Sequence, residues 1–85
     1  MHRELSKSNV DLRMELPWRT PVRLAVYDVA GRRLTTIVDR ELSAGETEVS
    51  WGGADDRGLR VASGIYFVRL SCAKGAQVSK VVMLR

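Results

Sequence analysis

Val10, Leu12, Met14 and Leu16 alternate with Asp11, Arg13 and Glu15, so one face of this segment is apolar and the other charged. A period of two marks a half-buried β-strand, because successive side chains leave a strand on opposite faces. The same period recurs further on. Val22, Leu24 and Val26 share one face while Arg23, Ala25 and Tyr27 share the other, and Thr47, Val49 and Trp51 line one side of segment 46–51. No stretch repeats at 3.6 over the roughly dozen residues that a βαβ crossover needs, so a parallel α/β fold is excluded.

Turn residues punctuate these runs. Pro17 ends the first strand, and Pro21 precedes the second. Asp28-Val29-Ala30-Gly31-Arg32 reads as a tight turn in which Gly31 supplies a positive φ, with 33–38 as the return strand. Segment 39–45 reads as a connection. Gly52-Gly53-Ala54-Asp55-Asp56-Arg57-Gly58 has the composition of a loop built on side-chain-to-backbone hydrogen bonds. Residues 59–62 offer a short edge strand, and 65–72 is the most apolar strand, with Ile65, Tyr66, Phe67, Val68 and Leu70 spread over both faces. Lys74-Gly75-Ala76 then turns the chain into a last strand over 77–84. Six or seven short strands at this spacing predict an all-β fold, an antiparallel β-sandwich or a small barrel. The expected division is a flexible segment or linker remnant over 1–9 and the β domain over 10–85.

A chain of 85 residues and 9.5 kDa is one domain with one core. Its longest uncharged apolar run, Val81-Val82-Met83-Leu84, is far short of the ~20 residues of a membrane helix. The net charge of +4 comes from 14 basic and 10 acidic residues, but Arg32-Arg33 is the only adjacent basic pair. Nucleic-acid modules concentrate their charge, so nucleic acid is not the expected partner. Arg13, Arg23 and Arg69 on outward faces are the candidate basic stripe for the alternative, a small basic barrel that binds nucleic acid. The polar start lacks the apolar stretch of a signal peptide. The expectation is a piece of a longer exported protein, extracellular or at the cell surface, or a cytoplasmic protein if the chain stands alone.

Catalytic chemistry finds few residues to work with. His2 is the single histidine and Cys72 the single cysteine, so neither a nucleophile–base pair nor a zinc site assembles from them. Cys72, inside an apolar run, reads as a small buried hydrophobe. No glycine motif cradles a phosphate. Asp55 and Asp56, near Asp28 or Glu48, are weak candidates for a calcium site, and turn capping is the favoured reading. The expectation is therefore no enzyme, no cofactor and no metal. Trp51 closes an alternating strand on its apolar face and reads as core. Trp18, between Pro17 and Pro21, reads as an exposed contact, and it carries the further alternative of a carbohydrate-binding module.

Four segments together resemble a known family. Val22-x-Leu24-x-Val26-Tyr27-Asp28-x-x-Gly31-Arg32-x-Leu34, Ala44-Gly45-x-x-x-Val49-x-Trp51, and Asp55-x-x-Gly58-x-x-Val61-x-x-Gly64-x-Tyr66-x-x-x-Leu70 fall in the order and spacing of the FlgD Ig-like domain. Lys80-Val81-Val82-Met83-Leu84-Arg85 fits its closing strand. Coverage runs from about Leu12 to Arg85. The same pattern marks the C-terminal sorting domains of type IX secretion cargo, although that cargo usually reaches the first strand from an Asn-Pro-rich stretch where this chain has Lys7-Ser8-Asn9-Val10. The resemblance implies an accessory Ig-like module of a longer flagellar or secreted protein. It would act by protein–protein contact in hook assembly or secretion sorting. Its partners would be hook components, secretion machinery or domains of the parent protein. The signature residues are those that build the fold.

Overall fold

The computed structural model describes residues 9–84 and the backbone of 2–5. Among these residues the chain forms seven strands and no helix: β1 (His2–Leu5), β2 (Val10–Leu16), β3 (Thr20–Tyr27), β4 (Arg33–Leu42), β5 (Gly45–Trp51), β6 (Gly64–Cys72) and β7 (Gly75–Met83). Every pairing is antiparallel. They make two separate sheets, ordered β1-β2-β5 and β4-β3-β6-β7, which is an Ig-like sandwich and not a closed barrel.

The alternation read in the sequence becomes the interior. Val10, Leu12, Met14 and Leu16 of β2 are buried, as are Val22, Leu24 and Val26 of β3. Beside the β3 residues in the larger sheet, and facing those of β2 across the sandwich, stand Tyr66 and Val68 of β6 and Val81 and Met83 of β7. Burial of each such side chain contributes about 1.5–3 kcal/mol, and this apolar layer is what holds the two sheets face to face.

Trp51, the last residue of β5, crosses that layer. Its ring meets Tyr66 of the other sheet edge-on, with centroids 5.4 Å apart and planes at 69°. Both polar handles are satisfied. Trp51 Nε1 donates to the Ala54 carbonyl at 2.9 Å, and the Tyr66 hydroxyl donates to the Ala62 carbonyl at 2.6 Å. The second bond reaches four residues upstream from the start of a strand, in the manner of the tyrosine corner of Ig sandwiches.

Three segments differ from the sequence expectation. Strand β4 runs on to Leu42, so the expected connection over 39–45 shrinks to Ser43 and Ala44. The extension 39–42 pairs with Thr20–Arg23 in regular register, but its run Asp39-Arg40-Glu41 is charged throughout and shows no period of two. The two register shifts against β3, at Leu24/Ala25 and Val26/Tyr27, lie within the expected part of the strand, 33–38. Residues 59–62 add no edge strand, and only the isolated bridge Ala54↔Arg60 forms. Here Asp55 N–H donates to the Leu59 carbonyl and Val61 N–H to the Gly53 carbonyl, so the segment pairs with its own loop. Within 1–9, expected as a flexible segment or linker remnant, the backbone of His2–Leu5 pairs with Val10–Arg13 as the edge of the smaller sheet.

Replacing Trp51 by Ala is expected to cost about 3–5 kcal/mol in urea unfolding, because it removes a buried ring and leaves a cavity. Trp51→Phe keeps most of the ring and gives up the bond to Ala54, at a cost of about 1–3 kcal/mol. A loss below about 1 kcal/mol for Trp51→Ala would contradict the burial described.

Candidate functional site

The signature aspartates build two turns of the same design. In Asp28-Val29-Ala30-Gly31-Arg32, Asp28 Oδ1 accepts the N–H groups of Ala30 and Arg32, each at 2.9 Å. In Asp55-Asp56-Arg57-Gly58-Leu59, Asp55 Oδ1 accepts those of Arg57 and Leu59 at 2.9 and 3.0 Å. The fourth residue of each turn is a glycine at positive φ, 83° for Gly31 and 81° for Gly58, where a side chain would strain the backbone. The remaining oxygen takes a guanidinium: Arg32 Nε reaches Asp28 Oδ2 at 2.8 Å, and an Arg57 nitrogen reaches Asp55 Oδ2 at 3.1 Å.

Asp56 locks the two turns together. Its N–H donates to the Leu34 carbonyl at 3.0 Å and its Oδ2 accepts from Arg33 at 2.6 Å. The end of the sandwich that carries both turns is thus one bonded unit, set beside the Trp51–Tyr66 pair.

Each of these carboxyls is held below its ordinary range. For Asp28 the Arg32 N–H is the largest influence; with the Arg32 guanidinium and the Ala30 N–H it outweighs the opposing effect of burial. Burial is the largest single influence on Asp55 and works to raise its pKa, but the Leu59 N–H, the Arg57 side chain and the Arg57 N–H together lower it. Hydrogen bonds from Arg33, then Thr35, lower Asp56. Carboxylates held ionised and already bonded are poor proton donors, and the oxygens of Asp55 that a calcium ion would need are engaged in the turn. Among the described residues no group of three His, Cys, Asp or Glu side chains gathers to hold a metal.

The other candidates lie apart. Trp18 is 46% exposed, with the Lys74 ammonium 4.9 Å from its ring centroid. It lines a shallow groove of about 270 Å³ with Leu16, Leu70 and Gln77. Cys72 is half-buried, a free thiol packed on the core. Arg13 does not share a face with Arg23 and Arg69. It stands on the outer side of the smaller sheet, 3.3 Å from Glu48 and 3.8 Å from Glu46, so the basic stripe expected from the sequence does not form.

The sheet faces sort by charge instead. Outward on β2 and β5 stand Asp11, Arg13, Glu15, Glu46, Glu48 and Ser50, an acidic and wholly polar surface. Outward on the larger sheet are Arg23, Arg69 and Lys80, interleaved with Tyr27, Ile65, Phe67, Val78 and Val82. This mixed surface escaped the motif reading. Its one signal in the sequence was that segment 65–72 is apolar on both faces, which a sheet covered on one side does not require.

The lowered carboxyl values tie stability to pH. Because the folded values lie below the ordinary 3.8, the stabilisation is complete above that value and is lost as pH falls through the lower, folded values. The urea midpoint is expected to fall in that window. Asp28→Asn and Asp55→Asn are expected to be less stable than the parent at neutral pH and to close most of that gap in acid. A gap unchanged by pH would contradict the assignment.

Comparison with known proteins agrees with this geometry. The family model for the FlgD Ig-like domain matches residues 3–76. Among solved structures, FlgD from P. aeruginosa superposes with a TM-score of 0.70 at 23% sequence identity, over 89% of this chain and 60% of that one. The chain thus spans 60% of the length of that relative, and the likeness carries the fold. A search of curated proteins finds no significant match. With two sheets, paired aspartate turns and a family match over most of its length, the chain belongs to the FlgD Ig-like domain family.

Proposed function

We propose that this domain is a non-catalytic contact module of a longer exported protein, serving assembly in the manner of flagellar hook-capping scaffolds. The observation that carries the reading is the family match over residues 3–76. The site geometry supports it. Asp28, Gly31, Asp55, Gly58, Trp51 and Tyr66 are all occupied in holding the turns and the sheets, which leaves the sheet faces, the edges and Trp18 to meet partners. The module works as a rigid platform. Its bonded turn end fixes the angle between the sheets, and a fixed surface lowers the ordering cost of association.

The test is an in-frame deletion of residues 3–76 from the gene in its source bacterium. The expected result is defective hooks, with hook subunits released into the medium and motility lost. Normal hooks and full motility would overturn the assembly role. If the parent protein were instead retained inside the cell while hooks stayed intact, the sorting role of the related type IX domains would replace it.

A further inference from the structure

The four sheet edges are not equally protected. Strand β4 carries two register shifts and the charges of Arg33, Asp39, Arg40 and Glu41, and β5 carries Glu46 and Glu48. Bulges and charges are the usual means of keeping an edge from pairing with another chain. Strand β7 has neither in quantity. It pairs with β6 over nine consecutive positions without a register shift, and Lys80 is its only charged residue. On its other side it pairs with no strand among the described residues, so alternate N–H and C=O groups of β7 make no ladder bond to a described strand there, although β1 approaches it.

The face beside this edge has a defined chemistry. Val78 is 59% exposed and Ile65 43%, with Val82 and Phe67 half-buried next to them. By register Lys80 stands opposite Phe67 and Arg69 opposite Val78, so two cations are set among four apolar side chains. Neither cation makes an ion pair with a described residue.

We propose that the β7 edge takes an extended segment of a partner protein as an added strand, one that alternates apolar and acidic residues on the side facing the apolar–cationic surface. Backbone pairing along Gly75–Met83 gives the affinity, and the side chains select. Apolar residues of the segment lie beside Val78 and Val82, and an acidic residue between them meets Lys80, within reach of Arg69. A second copy of this chain is a poorer occupant. Pairing β7 with β7 brings Lys80 and Arg69 of both copies onto one continuous face, where like charges repel. On β2 and β5 the acidic outer face of the smaller sheet has no apolar side chain to cover Val78 and Ile65.

This assignment rests on the contact-module reading and names the surface and the partner's chemistry. The probe is a synthetic peptide of the repeating pattern Val-Thr-Glu-Thr-Val, titrated into the full chain with amide shifts followed by NMR. The expected shifts run along β7 and into β6. Lys80→Glu is expected to weaken binding about fivefold and Arg69→Glu with Lys80→Glu about twentyfold, while a peptide with Lys in place of Glu restores binding to the double variant. These positions are exposed, and unchanged urea midpoints confirm that the variants fold. No shifts at millimolar peptide, shifts centred on β4 or β5, or an affinity indifferent to both charge reversals would overturn the proposal. A concentration-dependent dimer in sedimentation, broken by Lys80→Glu or made tighter by it, would assign the edge to a second copy instead. Failure here leaves the deletion experiment untouched, whereas normal hooks after deletion would remove the assembly role even if the peptide bound.

Discussion

The two sheets are joined at their most demanding point by one aromatic pair. Trp51 leaves the smaller sheet and Tyr66 enters the larger one, and their rings meet edge-on at 5.4 Å inside the core. Each ring has a polar atom that burial would penalise. Each finds a carbonyl in the segment between them, at Ala54 and Ala62. The pair therefore does two things with one geometry: it packs the sheets together and pins both ends of the connecting loop.

The rest of that end of the molecule follows. A loop held at Ala54 and Ala62 places Asp55 where its carboxylate can gather the Arg57 and Leu59 N–H groups, and places Asp56 against Arg33 and Leu34 at the start of β4. These bonds sit near the surface, so their individual contributions are small. Their effect is geometric, because they close the sandwich end into a fixed frame. A frame of this kind suits a domain that presents surfaces to partners, since little further ordering is needed when contact is made.

Much of this was legible in the sequence, for identifiable reasons. Strict alternation in Val10–Leu16 and Thr20–Tyr27 reports burial on one side, and the structure buries the alternating residues Val10, Leu12, Met14, Leu16, Val22, Leu24 and Val26. The Asp-x-x-Gly spacings announced the turns because a carboxylate, three intervening bonds and a positive φ are what such a turn needs. What escaped were features that depend on partners distant in sequence. The full length of β4 was masked by the charged run Asp39-Arg40-Glu41, which carries no apolar alternation. The pairing of His2–Leu5 requires a strand that the sequence gives no local reason to expect, and the Asp56–Arg33 bond spans 23 residues. The separation of Arg13 from Arg23 and Arg69 is likewise a matter of which sheet each strand joins.

The Trp51–Tyr66 contact itself, beyond the burial of either ring, couples the two sheets. A double-mutant cycle with Trp51→Leu and Tyr66→Leu, read by urea unfolding, tests it most directly. The expected coupling energy between the two positions is about 0.5–1.5 kcal/mol. Effects that add to within about 0.3 kcal/mol would mean that each ring merely fills its own space, and the sheets would then owe their alignment to the aliphatic core alone.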